Sequence, residues 1–263
     1  MPELVDVEGL RAFFEDHALH QTVRGVHVPD RRVLVDATPQ SLGRRLKGGA
    51  FRRTRRHGKY LFAGIGEDDG WLLLHFGMTG NLHVLTPDGE APAHLAMRVD
   101  FDGSGLGYSC QRVLGRVSWV ADVEAFVEAE GLGPDGLGDD LDRDRFIDLF
   151  DGRRGLLRAA LMNQAILAGI GNVLADEIMW QSRLPPKVQA SALDREALGE
   201  VYRTTRRILH TAARARREQR EWPASYLGPH RGAGEPCPRC GEGLASVKVS
   251  GRTGYYCPRC QSG

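Results

Sequence analysis

Two Cys-x2-Cys pairs close this chain, Cys237-Pro-Arg-Cys240 and Cys257-Pro-Arg-Cys260, with sixteen residues between them. Paired knuckles of this kind bring four soft thiolates into the tetrahedron that Zn(II) prefers, and so short a tail cannot fold without a staple. Two disulfides or an iron site would use the same spacing, although disulfides are disfavoured in a reducing compartment. The expectation is one structural zinc ion on Cys237, Cys240, Cys257 and Cys260, because four protein thiolates leave no open position for catalysis. Between the knuckles, residues 244–256 read as two strands around Ser250-Gly251-Arg252, a metal-pinned β-hairpin with Arg252 at its tip.

Upstream the pattern changes twice. Residues 5–21 carry Val7, Leu10, Phe13, Phe14 and Ala18 on one helical face. Short β-rich runs then follow at 23–28, 32–35, 60–65, 71–76, 81–85, 97–101 and 116–120, separated by Gly/Asp turns. A further helix is expected near 123–130, and Gly131-Leu-Gly-Pro-Asp-Gly-Leu-Gly-Asp-Asp140 has almost nothing to bury, so it marks a linker. Beyond it, 143–150, 156–167, 172–182 and 195–217 carry helical periodicity, the third opening at Asn172 as its cap and the last preceded by Ser191 and Asp194. The expected architecture is therefore multidomain α+β: an N-terminal β-sandwich with a leading helix (2–130), a linker (131–142), a helical domain (143–231) and a four-cysteine zinc-finger β-hairpin (232–263).

Charge is balanced in total, with 35 Lys+Arg against 34 Asp+Glu, but segregated along the chain. Residues 44–59 hold eight cations and no acid, 122–151 hold eleven acids against two arginines, and nine cations face four acids from Arg214 onward. Such clustering suits one polyanion-binding face, and equally a solvated surface of mixed sign. Only four of the basic residues are lysines, so Lys59, which follows six arginines of its segment, stands where a compact ammonium is wanted for itself. The 41% hydrophobic content supports a packed core and excludes a disordered chain. No run approaches the ~20 apolar residues of a membrane helix, and the acidic opening is unlike a secretory signal. A soluble cytoplasmic protein without a membrane partner is expected.

Two further features carry chemistry weakly on their own. Gly169-Ile170-Gly171 before a helix gathers amide N–H groups where an anionic phosphate is favoured, although Gly-x-Gly is more often a tight connection. Removal of Met1 would leave Pro2 as a free secondary amine beside Glu3. An α-amino group titrates near pKa ~8 against ~10.4 for lysine, so far more of it is nucleophilic at neutral pH.

Taken together and in order, Pro2-Glu3, Arg56-His57-Gly58-Lys59-Tyr60-Leu61, His75-Phe76-Gly77-Met78-Thr79-Gly80, Ala168-Gly169-Ile170-Gly171-Asn172 and the knuckles ending in Cys257-Pro-Arg-Cys260-Gln261 resemble the formamidopyrimidine-DNA glycosylase and endonuclease VIII family from end to end. The resemblance implies a bifunctional DNA glycosylase and apurinic-site lyase of base-excision repair, acting on damaged double-stranded DNA as a monomer, nucleoid-associated in a bacterial-type cytoplasm, with no organic cofactor. It makes Pro2 the nucleophile at C1′, Glu3 the general acid/base and Lys59 a contact to the lesion phosphate. The helical domain becomes a helix-two-turn-helix whose Gly169, Gly171 and Asn172 clamp a phosphate, with Arg252 contacting another, and Met78, Arg112 and Leu114 fill the space left by a flipped base.

The chain departs from the family pattern at Val5-Asp6, where Pro-Glu is usual, and at Cys110-Gln111-Arg112-Val113-Leu114, where one cation is lost and the aromatic wedge becomes Leu. Residues 218–236 are short and unlike the loop that closes over 8-oxoguanine, so another main lesion is expected. The alternative reading is a catalytically silent or specialised member that binds bulky or alkylated damage.

Overall fold

The computed structural model describes residues 2–67 and 70–262, and the chain divides into two compact units. Among the described residues, one comprises Pro2, 6–67 and 70–130; the other comprises 131–262 together with Glu3–Val5.

The first unit is a β-sandwich led by α1 (Leu4–Ala18). One antiparallel sheet runs β1 (Gly25–His27), β6 (Leu95–Asp100), β7 (Gly105–Cys110), β5 (Gly80–Leu85). The other runs β2 (Phe51–His57), β3 (Tyr60–Ile65), β4 (Trp71–His75), β8 (Arg116–Val120). Leu61, Leu72 and Leu74 of one sheet and Leu82, Val99, Leu106 and Tyr108 of the other share a buried core, closed by Val7, Phe14 and Ala18 of α1. The N-terminal sandwich with a leading helix is thus as expected.

One local expectation of this unit fails, and two elements appear where periodicity gave no reading. The run at 32–35 is not a strand: Arg31–Val33 form a 3-10 turn because the Asp30 carboxylate accepts the Arg32 N–H at 3.1 Å, the behaviour of an N-cap. Pro39–Leu46 form a helix, α2, capped by Thr38 and Ser41 in a reciprocal box. The cation-rich segment supplies β2, an edge strand whose charges suit a position where no further strand should pair. Its cations are also largely engaged: Arg56 pairs with Glu8, Arg55 with Glu124, and Arg53 lies over the Trp71 ring.

The second unit holds α4 (Arg143–Phe150), α5 (Leu157–Leu161), α6 (Asn172–Gln181) and α7 (Arg195–Arg217), after α3 (Val123–Ala129) of the first. Phe146, Phe150, Leu157, Leu174, Ile178, Ile208 and Leu209 form its core. The helix expected at 156–167 stops at Leu161, because the Asn163 side-chain Oδ1 accepts the Ala165 N–H at 3.0 Å and turns the chain. Gln164 then staples the connection, donating to the carbonyls of Met162 and Ile170 and accepting from Gly169 N–H. The result is helix, two turns, helix.

The tail forms the expected hairpin. β9 (Ala245–Val249) pairs with β10 (Arg252–Tyr256), and the two linking residues Ser250 and Gly251 both have positive φ, 49° and 73°, as a type I′ turn requires. Arg252 begins β10 opposite Val249, exposed beside the turn.

Candidate functional site

Pro2 is half-buried and precedes α1; Met1 lies outside the described residues. Glu3 is 3% exposed, and its side chain sits at the N-terminus of α6. Oε2 accepts the N–H groups of Gly171 and Leu174 at 3.0 Å each, and Oε1 accepts that of Val173 at 2.9 Å. The carboxylate therefore satisfies donors that a helix N-terminus leaves unpaired and meets the positive end of the helix dipole. This corrects the sequence reading twice. Gly171, not Asn172, is the N-cap residue of α6, with no side-chain cap of its own. The amides gathered there serve Glu3, and the Gly169 N–H serves Gln164. Glycine is needed at both ends of the turn: a Cβ on Gly171 would stand 2.3 Å from the Glu3 carboxyl carbon, and Gly169, at φ +105°, abuts Leu4.

In the first unit, Lys59 occupies the two-residue turn between β2 and β3 beside Gly58, which takes φ +55°. Arg56 braces this turn, donating from Nη1 to the Gly58 carbonyl at 3.0 Å while its Nε contacts Glu8 at 3.2 Å. Burial works to raise the Glu8 pKa, but the hydrogen bond and charge of Arg11 and the charge of Arg56 outweigh it and hold the carboxyl below its usual value. His75, at the end of β4, is pushed down to about 4 by burial and then by the charges of Lys59 and Arg116, so it is neutral at physiological pH.

Met78 and Leu114 are among the few exposed large hydrophobic side chains, 40% and 53% exposed. They sit on two loops locked together: the Arg112 N–H donates to Thr79 Oγ1 at 3.1 Å, and Gly77, at φ +55°, has room for no Cβ because the Leu114 carbonyl would lie 2.4 Å from it. Arg112 is exposed as well. Val113 takes φ +51°, a strained conformation for a β-branched residue.

Asn172 is held on both sides of its amide. Its Oδ1 accepts from Arg158 at 2.7 Å and its Nδ2 donates to the Thr253 carbonyl at 2.8 Å, next to Arg252. The four knuckle sulfurs all lie within 4.8 Å of one another, with Sγ–Sγ separations of 3.9, 3.5 and 3.4 Å for 237–260, 240–257 and 240–260. Zn–S bonds of ~2.3 Å in a tetrahedron require separations of about 3.8 Å, so the cluster fits one zinc ion. None of the cysteines is in a disulfide. Gln261 anchors the second knuckle, accepting from Cys257 N–H at 2.9 Å and donating to the Leu184 carbonyl at 2.8 Å. Among the described residues, the cluster that packs with those cysteines adds just Trp180, Leu227 and Leu244, a small core for which a metal staple compensates.

Sequence reasoning missed Asp176, Arg158, Arg56 and Glu8. The first two had a signal: Asp176 stands four residues after Asn172, on the same helical face, and Arg158 interrupts an apolar run. Cys110 is a buried bystander of the core. In 218–236, Trp222, Tyr226 and Leu227 are tucked into the core.

Three family models match the chain in succession: the formamidopyrimidine-DNA glycosylase N-terminal domain over residues 1–117, the formamidopyrimidine-DNA glycosylase H2TH domain over 132–221, and a zinc finger found in FPG and IleRS over 234–263. Formamidopyrimidine-DNA glycosylases of Laribacter hongkongensis and Stutzerimonas stutzeri are each 32% identical, over 99% of this chain and 100% of their own. The Lactococcus lactis enzyme, solved non-covalently bound to DNA containing an AP site, superposes with a TM-score of 0.89 at 25% identity, covering 99% of this chain and 100% of its own. A MutM solved with DNA containing carbocyclic 8-oxo-G gives 0.86 at 25% identity over all of both chains. The chain belongs to the formamidopyrimidine-DNA glycosylase family.

Proposed function

We propose that this protein is a base-excision repair DNA glycosylase with associated apurinic-site lyase activity, acting on damaged double-stranded DNA. The observation that carries the reading is the immobilised Glu3 carboxylate, fixed by three backbone amides of α6 one residue after Pro2. Once Met1 is removed, the Pro2 amine attacks C1′ of the damaged nucleotide, the C1′–N bond breaks and the base departs. Solvent protonates the departing base, and the Glu3 carboxylate takes the proton shed by the attacking Pro2 amine and passes it to the ring oxygen as the sugar opens, giving an iminium between Pro2 and C1′. The iminium draws electrons from C2′, a proton leaves that carbon to Glu3, and the 3′-phosphate is expelled by β-elimination, with or without a following δ-elimination. Lys59, on a braced turn, supplies an ammonium to the lesion phosphate, a point contact that suits lysine better than arginine's fork.

The remaining residues act on the duplex. Asn172, through its second amide N–H, and Arg252 bind backbone phosphates; the turn glycines Gly169 and Gly171 allow Leu4 and Glu3 their places. Met78, Arg112 and Leu114 enter the stack after the lesion leaves it, and their exposure on interlocked loops supports that role. Zinc on Cys237, Cys240, Cys257 and Cys260 holds the hairpin and takes no part in the chemistry. The domain limits in this reading are 2–130, 131–142, 143–231 and 232–263, with a place on the bacterial nucleoid as part of the same proposal.

Borohydride trapping on a duplex bearing one abasic site tests the reading. Wild type, checked by intact mass for loss of Met1, is expected to form an adduct that maps to Pro2, and Pro2→Gly and Glu3→Gln are expected to nick far more slowly. Processed wild type that binds the duplex yet gives neither adduct nor nick would sink the lyase chemistry.

A further inference from the structure

The second unit contains a buried charge cluster that the proposed chemistry does not use. Asp176 on α6 is 2% exposed and Arg158 on α5 1% exposed. Oδ1 of Asp176 accepts from Arg158 Nε at 2.8 Å and lies 2.7 Å from Nη2 of the same guanidinium. Oδ2 accepts from Arg231 Nε at 3.0 Å, from Arg231 Nη2 at 2.7 Å and from the backbone N–H of Tyr255 on β10 at 2.9 Å. One carboxylate thus gathers a helix, the segment leading into the zinc module and the second strand of the hairpin. β10 lies directly on the pair, since a Cβ on Gly254 would stand 2.6 Å from Arg158 Nη2 and 2.7 Å from Asp176 Oδ1.

This is a poor way to gain stability alone. Buried ion pairs contribute little net stability relative to apolar packing of similar volume, and here Arg158 Nη1 is buried with no partner. What the cluster provides is direction. Arg158 Nη2 also donates to Asn172 Oδ1, so the Asn172 amide cannot flip, and its Nδ2 reaches the Thr253 carbonyl on the same strand that begins at Arg252. Two guanidinium groups against one carboxylate leave one excess positive charge behind Asn172 and the hairpin.

We infer that Asp176 is a positioning residue, a buried carboxylate that fixes the zinc hairpin on α6 so that Asn172 and Arg252 meet the nucleic-acid backbone as one rigid anion-binding element. The inference rests on the DNA-binding reading of the preceding subsection. Its consequence is energetic coupling: loss of Asp176 releases the hairpin from α6 and removes the Arg252 phosphate contact without touching Arg252 itself.

The test uses full-length, zinc-loaded protein and a duplex with one tetrahydrofuran abasic analogue, with Kd followed against salt. Arg252→Ala is expected to reduce the slope of log K on log salt by about 0.9, one phosphate contact, and to weaken binding about tenfold. Asp176→Asn, with full zinc content and a cooperative thermal transition, is expected to reproduce both changes, and Asp176→Asn/Arg252→Ala to be no worse than either alone. For Asp176→Asn, single-turnover nicking of an abasic duplex at saturating DNA is expected to stay within about twofold of wild type, so the defect lies in binding and not in the chemical step. A merely structural role would lower thermal stability and leave the salt slope of the folded protein at the wild-type value, and that result, or additive effects in the double variant, overturns the inference. Should Asp176→Asn fail to fold or hold zinc, Arg231→Gln, which keeps the Arg158–Asp176 pair, is read by the same slope, and a wild-type slope there also overturns it. If wild type does not prefer the abasic duplex and Arg252→Ala changes nothing, the DNA-binding reading itself falls, and this inference with it.

Discussion

Replacing Gly171 by alanine tests the Glu3 site through a residue that carries no functional group. The backbone there, φ −123° and ψ −157°, is open to alanine, so no conformational strain confuses the result. The added methyl would stand 2.3 Å from both Cδ and Oε1 of Glu3, so the carboxylate must retreat. A retreat of about 1 Å is the displacement that costs about 10²-fold when a reacting group is misplaced. The same movement breaks three charge-assisted bonds, which water partly replaces, for a stability loss on the order of 3 kcal/mol. Single-turnover borohydride trapping on an abasic duplex reads the first effect and urea denaturation the second. Gly43→Ala, on α2 with open space around its Cβ, is the control and should be slightly more stable than wild type. Because both changes act on one carboxylate, Gly171→Ala/Glu3→Gln should trap no more slowly than Glu3→Gln alone. A folded Gly171→Ala that traps within threefold of wild type would refute the argument that the amide-bound position of Glu3 is the reactive one.

Other outcomes follow from the same geometry. His75 is held near a pKa of about 4, so the unfolded chain takes up its proton first as pH falls below ~6.5, and acid favours unfolding. The His75 contribution should be constant above neutrality and decline by about 3 kcal/mol towards pH 4; urea titrations of wild type and His75→Asn should therefore converge on acidification, and parallel curves would contradict the assignment. Arg56→Gln should loosen the Lys59 turn and slow single-turnover nicking about tenfold while costing roughly 2 kcal/mol of stability, since Glu8 keeps Arg11. Chelation should release one zinc per chain and, with it, an apparent ~10–16 kcal/mol of binding free energy; hydrogen exchange should show β9 and β10 losing protection while β3 and β4 keep theirs.

Much of this was legible in the chain because it is local. The knuckle spacing sets the four thiolates and the hairpin, since a short loop between ligand pairs leaves few ways to converge them. Sandwich strands such as Tyr60–Ile65 and the helices Arg143–Phe150 and Arg195–Arg217 follow from periodicity. The motif order placed Pro2, Glu3, Lys59 and Asn172 in one family before any coordinates. Local rules failed where a competing bond was stronger. Asp30 turned an apparent strand into a 3-10 turn, and Asn163 ended a helix early.

Tertiary structure alone decided who uses the α6 amides. The sequence offers Gly169-Ile170-Gly171-Asn172 as a self-capped anion site, but Glu3, 168 residues away from Gly171, takes the amides, and Asn172 turns instead to Arg158 and Thr253. The same holds for Asp176, whose partners come from α5, from Arg231 and from β10. Spacing can report a ligand set held within one short segment. It cannot report a buried charge whose partners are far apart in sequence, because only folding removes the water that would otherwise solvate each of them and makes the pairing obligatory.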